Sequence, residues 1–164
     1  MTSRNNLTNL LLFGVIVLSV IGVSQFIGLQ VLRSIPEYSS VEINRFIHFT
    51  HVRNHGGIFG MLQGQGWVFA GFSLLLLAGV TVYLYLAEHL PRYEYVCFGF
   101  IVGGGSSNVL DRLIHGSVID FIDIQHIPYW NYIFNTADVM IHVGIWPLLF
   151  MSFFGHRFHK NAAP

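Results

Sequence analysis

Two aspartates stand at places in the sequence where a carboxyl group is costly. Asp120 interrupts the apolar segment VIDFI, and Asp138 ends the motif FNTAD, 18 residues further along the chain. If the loop between them folds back, the two carboxyl groups meet, and two such groups held close together do not comfortably ionise at the same time. They then share a proton, so that one acts as a base toward water and the other as an acid. This aspartate pair therefore predicts hydrolysis by an activated water.

The polar residues near these aspartates indicate what would support them. Asn135 precedes Asp138 by three residues, the spacing of a helix N-cap and its first-turn acid, so capping alone is an alternative explanation for Asp138. In SSNVLDR, Asn108 lies on the same helical face as Asp111 and Arg112. An aspartate near a helix C-terminus is disfavoured unless a cation or donor compensates it. We therefore expect Asp111 to join a network with Arg112 that supports a site.

Two other kinds of chemistry are possible. His48, His51 and His55 have the spacing HxxHxxxH, which would suit a metal if the segment were helical, but its composition is that of a strand. A proton-coupled carrier using Asp111 and Asp138 is a further alternative. It is weakened because both residues lie at the ends of apolar spans rather than near a membrane midplane.

The composition is that of an α-helical integral membrane protein. Only 10% of the 164 residues are charged, 53% are hydrophobic, and the mean hydropathy is +0.57. The formal net charge is zero, so no basic surface predicts nucleic acid as a partner. The single cysteine excludes an internal disulfide.

We predict one membrane domain over residues 1–164 with four transmembrane helices. The first apolar stretch is longer than a signal-peptide core and is therefore expected to remain as an uncleaved helix. The third contains Gly99 and Gly103 as a GxxxG pair and should be the inner helix of the bundle. The predicted helices span about residues 10–32, 67–87, 94–114 and 138–156.

Two long connections, about 33–66 and 115–137, must lie on the same side of a four-span bundle. Val41 to Arg53 is rich in β-branched and aromatic residues and is predicted to be a strand, as is Val118 to Ile124. We expect a small sheet resting on the membrane surface. Lysine and arginine counts on the two sides are equal, so charge does not decide the orientation.

Several motifs together resemble the lipoprotein signal peptidases, the type II signal peptidases of bacteria. In chain order they are HVRNHGGIF (51–59), GGSSNVLDR (104–112), VIDFI (118–122) and FNTAD (134–138). The resemblance implies a four-helix membrane bundle with a β-rich extracytoplasmic cradle. It also implies cytoplasmic termini, a periplasmic active site and location in the bacterial inner membrane.

The resemblance further implies an aspartic endopeptidase that removes signal peptides from diacylglyceryl-modified prolipoproteins, cutting before the lipidated cysteine. Its partners would be these substrates and membrane lipids. The enzyme would be a monomer without a cofactor or metal. The catalytic residues would be Asp120 and Asp138, and the residues supporting the substrate or the aspartate pair would be Asn54, Gly56, Asn108, Arg112, Asn135 and Ala137.

The sequence departs from the family pattern in the first helix. The family's Asp-Gln-x-x-Lys corresponds here to Ser24, Gln25 and Gly28, so both charges are absent, and Ser107 replaces a glycine before Asn108. Altered substrate choice, inhibitor sensitivity or stability would follow from the loss of these charges. The departures also permit an alternative, a catalytically inactive relative that binds lipopeptides.

Overall fold

The computed structural model describes residues 4–57, 61–87 and 89–160, with side chains described over 6–57, 61–87 and 89–154. It contains four helices and one antiparallel sheet with the strand order β1-β2-β3-β4. The helices are α1 (Arg4–Ser34), α2 (Gly66–Leu86), α3 (Arg92–His115) and α4 (Thr136–Lys160). The strands are β1 (Ser40–Asn44), β2 (Ile47–Asn54), β3 (Val118–Ile124) and β4 (Ile133–Phe134).

Three of these helices are long and apolar enough to cross a bilayer, over Asn6–Ser34, Gly66–Leu86 and Thr136–Phe154. The remaining helix, α3, has 24 residues, but glycines, serines and charged ends make it less apolar than the others. A helix surrounded by other helices does not need an apolar surface toward lipid.

Glycines bring α3 into direct contact with each of the other three helices. Gly103 faces α1, where an added Cβ would lie 2.7 Å from Val20 Cβ. Gly104 faces α4, where the same atom would collide with the carbonyl oxygen of Ala137, and Gly105 faces α2. The prediction that α3 is the inner helix of the bundle is therefore confirmed.

All four strands come from the two long connections, and both connections therefore lie at one end of the bundle. The prediction of one strand over residues 41–53 is wrong, because the segment forms the β1–β2 hairpin. Its turn is closed by Asn44 Oδ1, which accepts hydrogen bonds from the N–H of Phe46 at 2.8 Å and of Ile47 at 3.1 Å. The strand over residues 118–124 is confirmed as β3.

An apolar cluster fixes β3 against the end of α1 and thereby orients Asp120. Ile119 and Phe121 are buried with Val31 and Ile35 of the α1 end. Side chains alternate across a strand, so Asp120 points to the opposite face from its two neighbours. The carboxyl group is thus directed away from the α1 end, toward Asn135 at the start of α4.

The close contact at Gly104 predicts a strong effect of a single methyl group. Gly104→Ala should lower the unfolding temperature in detergent, at a cost of about 1–3 kcal/mol, because the α3–α4 contact must open. Gly79→Ala in α2 is the matched control, since nothing lies within 4 Å of an added Cβ there. Equal unfolding temperatures for the two variants would contradict the packing at Gly104.

Candidate active site

Asn135 connects the two members of the aspartate pair. Its Nδ2 donates to Asp120 Oδ1 at 2.7 Å, and its backbone N–H donates to Asp138 Oδ2 at 3.2 Å. Its Oδ1 accepts from the backbone N–H of Asp138 at 3.0 Å, which completes the predicted N-cap of α4. Asn135 therefore caps α4 and also brings the two carboxyl groups together, because it bonds to both aspartates.

Two more asparagines complete the donors around the aspartate pair. Asn54, at the end of β2, donates through Nδ2 to Asp120 Oδ2 at 3.1 Å. Asn108, in α3, donates through Nδ2 to Asp138 Oδ1 at 2.9 Å and accepts from Asn135 Nδ2 at 3.1 Å. Each of the four carboxyl oxygens thus accepts a hydrogen bond from an asparagine, and elements distant in sequence meet at the pair.

Arg112 is buried and holds the loop after β2 against α3. It donates through Nη2 to the carbonyl oxygen of Gly56 at 2.8 Å and through Nη1 to that of Asn108 at 3.0 Å. The N–H of Gly56 in turn donates to Asn54 Oδ1 at 3.0 Å. Arg112 therefore supports Asp120 through the loop that presents Asn54, in addition to the direct effect of its positive charge.

Asp111 was expected to form a network with Arg112, but its hydrogen bonds go to other residues. Its Oδ1 accepts from Gln25 Nε2 at 2.7 Å, and its Oδ2 accepts from the N–H of Ile119 at 3.2 Å. Consecutive residues on a helix project about 100° apart, so Asp111 faces α1 while Arg112 faces the loop after β2.

The first-helix departures lie beside this network. Ser24 is buried, and its Oγ has no hydrogen-bond partner among the described residues. Nothing lies within 4 Å of an added Cβ at Gly28. Gln25, the residue shared with the family pattern, bonds to Ser107 as well as Asp111. The uncharged first helix is thus connected to the surroundings of the site through an amide.

The remaining predicted site residue, Ala137, is 2% exposed and lies at the close approach of α3 and α4. A larger side chain at this position would have to be placed between two helices in contact. Phe59, which completes the resemblance in the first connection, lies outside the described residues.

Burial strongly raises the pKa of Asp120, and the negative charge of Asp138 raises it further, to about 7. Hydrogen bonds from Asn135 and Asn54, and the charge of Arg112, act in the opposite direction without cancelling the effect. Asp120 therefore carries a proton in a large fraction of molecules at neutral pH.

Tyr132 is a part of the site that the sequence did not reveal. Burial and the neighbouring Asp138 and Asp120 raise the pKa of its hydroxyl, which keeps it neutral. It lines two cavities, an apolar one of about 330 Å³ beside Asp138 and a more polar one of about 270 Å³ beside Asp120. Its position three residues before Asn135 was the signal available in the sequence.

The histidines do not form a joint site. His51 is buried in β2, where its Nδ1 lies 2.7 Å from the carbonyl oxygen of Ile35, and His48 is opposite Asp123 in the β2–β3 register. In the part of the chain that the structure describes, no three His, Cys, Asp or Glu side chains are close enough to hold a metal ion.

The family model described as signal peptidase (SPase) II matches residues 16–154. The chain belongs to the signal peptidase II family. It is therefore an aspartic endopeptidase, and family membership favours the enzyme over the inactive lipopeptide-binding relative.

Curated relatives agree with this assignment, and a solved structure shares the fold. The lipoprotein signal peptidase of Microcystis aeruginosa is 36% identical over 87% of each chain, and that of Clostridioides difficile is 33% identical over 88% of this chain and 97% of its own. A solved bacterial membrane enzyme shares the fold, with a TM-score of 0.80 at 23% identity over 93% of both chains.

The pKa of Asp120 predicts a carboxyl group that titrates near neutrality. The infrared absorption of a protonated carboxyl should disappear as the pH rises through about 7, and should be absent in Asp120→Asn. In Asp138→Asn the titration should move to lower pH, because a neighbouring negative charge is removed. A signal that vanishes well below pH 7, with no shift in Asp138→Asn, would contradict the coupling of the two groups.

Proposed function

We propose that this enzyme removes the signal peptides of diacylglyceryl-modified prolipoproteins and cuts before the lipidated cysteine. The observation that carries the proposal is the aspartate pair itself, two buried or half-buried carboxyl groups bonded to one residue, Asn135. Lipoprotein signal peptidases among the relatives give the substrate class.

The surroundings assign different roles to the two aspartates. Asp138 lies in the first turn of α4, where the positive end of the helix dipole favours a negative charge. Asp120 lies in a strand, is 3% exposed and has a raised pKa, so it holds the shared proton. Asp138 is then the base and Asp120 the acid.

The reaction follows from these roles. Asp138 takes a proton from a water while the water oxygen attacks the scissile carbonyl carbon, and Asp120 gives its proton to the carbonyl oxygen. When the tetrahedral intermediate collapses, the C–N bond breaks and the proton on Asp138 passes to the leaving amine. Asp120 takes a proton back from one hydroxyl of the intermediate, so that a carboxylic acid is released and the starting protonation of the pair is restored. The neutral hydroxyl of Tyr132 is a candidate donor to the intermediate, whereas the Asn135 amide and two Arg112 nitrogens already donate within the protein. No cofactor enters this scheme.

The two cavities fit a substrate that is part lipid and part peptide. The cavity beside Asp138 is lined mainly by apolar and aromatic side chains, namely Ile124, Trp130, Tyr132, Phe134, Val139 and His142. The cavity beside Asp120 includes the polar residues Arg53, Asn54, Gln63 and Asn131. An acyl group in the first and an extended peptide in the second would place the connecting peptide bond at the aspartate pair.

We place the protein in the bacterial inner membrane, with α3 as a fourth span and the sheet at the membrane surface. Both termini would be cytoplasmic, and the aspartate pair would face the periplasm. The enzyme would act as a monomer, with surrounding lipid as its other partner. Substrate would enter laterally between helices, and the parts of its acyl chains that extend beyond the apolar cavity would remain in the hydrocarbon layer.

Removing either carboxyl group should abolish cleavage. Asp120→Asn and Asp138→Asn should each lower the cleavage rate of a lipidated prolipoprotein by about 100-fold or more, since each removes an acid–base group. Asp123→Asn is the matched control, because this β3 aspartate accepts from the Thr50 hydroxyl at 2.8 Å instead. Full activity in either active-site variant would remove the assignment, and inhibition of the native enzyme by EDTA would indicate metal chemistry.

The rate should also depend on the proton on Asp120. Since the pKa of this residue is about 7, kcat/KM should fall as the pH rises above that value and Asp120 loses its proton. The measurement is cleavage of a lipopeptide at a series of pH values in a fixed detergent. A rate that keeps rising to pH 9 would show that Asp120 does not act as the acid.

A further inference from the structure

The edge of β3 next to Asp120 faces α3 and has no neighbouring strand. β4 pairs with β3 only at Ile122 and Asp123, so the earlier residues of β3 have no β4 partner on that side. A backbone N–H at an unpaired strand edge needs another acceptor when it is buried. Ile119 is 1% exposed and directly precedes Asp120, so whatever bonds to its N–H also influences the position of the active-site carboxyl group.

Asp111 supplies that acceptor. Its Oδ2 accepts from the N–H of Ile119 at 3.2 Å, which joins the end of α3 to the start of β3. The chain reverses between these residues at Gly116, whose φ of 71° is the left-handed conformation that glycine adopts readily at a helix end. The bond to Asp111 therefore closes a short helix-to-strand turn immediately before Asp120.

Gln25 holds the other side of the same carboxylate. Its Nε2 donates to Asp111 Oδ1 at 2.7 Å and lies 3.0 Å from Ser107 Oγ and 3.2 Å from the Ser107 carbonyl oxygen. One amide group of α1 thus fixes both the rotamer of Asp111 and the neighbouring turn of α3. The neighbouring residue in that turn, Asn108, is the donor to Asp138.

We propose that Gln25 and Asp111 are positioning residues for the cleavage reaction, acting on Asp120 through the backbone N–H of Ile119. This inference rests on the proposed function for its assay. Neither residue contacts Asp120 or Asp138 in the hydrogen bonds described above, so their effect is on geometry. A displacement of about 1 Å at a reacting group is enough to lower a rate about 100-fold.

Loss of this positioning should also change the pH dependence of the rate, and not only its size. The charged and titratable groups that act on Asp120 are Asp138, Arg112 and Tyr132, and burial is the largest influence on its protonation. If β3 were released from α3, water would reach Asp120 and its burial would decrease. The alkaline limb of the pH–rate profile should then move to lower pH, which a change in folding stability alone would not cause.

Exchanging the amide and the carboxylate between positions 25 and 111 provides the decisive test. Gln25→Glu places a second carboxyl group against Asp111 and should lower kcat by about 10- to 100-fold, with little change in KM. Adding Asp111→Asn should restore part of that loss, because the new amide donates through Nδ2 to the carboxylate introduced in α1 and still accepts from Ile119 through Oδ1. The bond to the Ser107 carbonyl oxygen stays absent in both variants. Gln30→Glu is the control, since Gln30 is an exposed glutamine of the same helix.

Each result of this experiment either supports the proposal or overturns it. Recovery of kcat and of the alkaline limb in the double variant Q25E/D111N supports the proposal. A double variant no more active than Q25E, or a Q25E enzyme with wild-type kcat and pH profile, overturns it. If Q25E does not accumulate in membranes, Gln25→Leu replaces it, with a lower kcat and a shifted limb expected and wild-type values again overturning the proposal.

Failure of this inference is distinguishable from failure of the proposed function. In the first case the wild-type enzyme cleaves the lipidated prolipoprotein and depends on Asp120 and Asp138, but is indifferent to Gln25. In the second case the wild-type enzyme itself does not cleave that substrate. The infrared titration of Asp120 gives a further measurement of the Gln25 variants that requires no substrate.

Discussion

The structure depends on keeping two carboxyl groups together in a place with little water. Asp120 is almost completely buried and Asp138 is half-buried, so their mutual repulsion is poorly screened. Neutral amides, rather than a directly bonded cation, stabilise the two carboxyl groups against this repulsion. The donors to the carboxyl oxygens are Asn54, Asn108 and Asn135. Amide donors stabilise charge without removing it, and they leave one proton to be shared. That balance is what acid–base chemistry with water requires.

Holding these amides in place is the task of α3, which has two kinds of surface. Glycines bring the backbones of α1 and α4 against it, so the spacing of the helices is set by direct contact. Toward the end that carries the sheet, Asn108, Asp111 and Arg112 point to three different elements, namely α4, the start of β3 and the loop after β2. A single helix therefore sets the relative positions of all the segments that bring donors to the aspartate pair.

The sequence predicted those features whose signal is local. Asp120 stood out because it interrupts an apolar strand, and the cap formed by Asn135 and Asp138 depends only on a three-residue spacing. The β1–β2 hairpin was mistaken for one strand because a single Asn44 side chain makes the turn. The bond between Gln25 and Asp111 joins residues 86 positions apart and arises from helix packing, which has no local pattern. Two-residue β4 is likewise too short to be recognised from its composition.

The same short β4 gives the sheet two unlike borders. An unpaired strand at the edge of a sheet can pair with a strand of another molecule and so lead to aggregation. On the β3 side the Ile119 N–H is already engaged by Asp111, so the chain next to the Asp120 carboxyl offers no donor at that position to an incoming strand. On the other side, all five residues of β1 are exposed, with Glu42 as the charged residue that discourages such pairing. The border beside the candidate active site is thereby occupied in part by a side chain of the same molecule, whereas the border at β1 lies open and depends on charge.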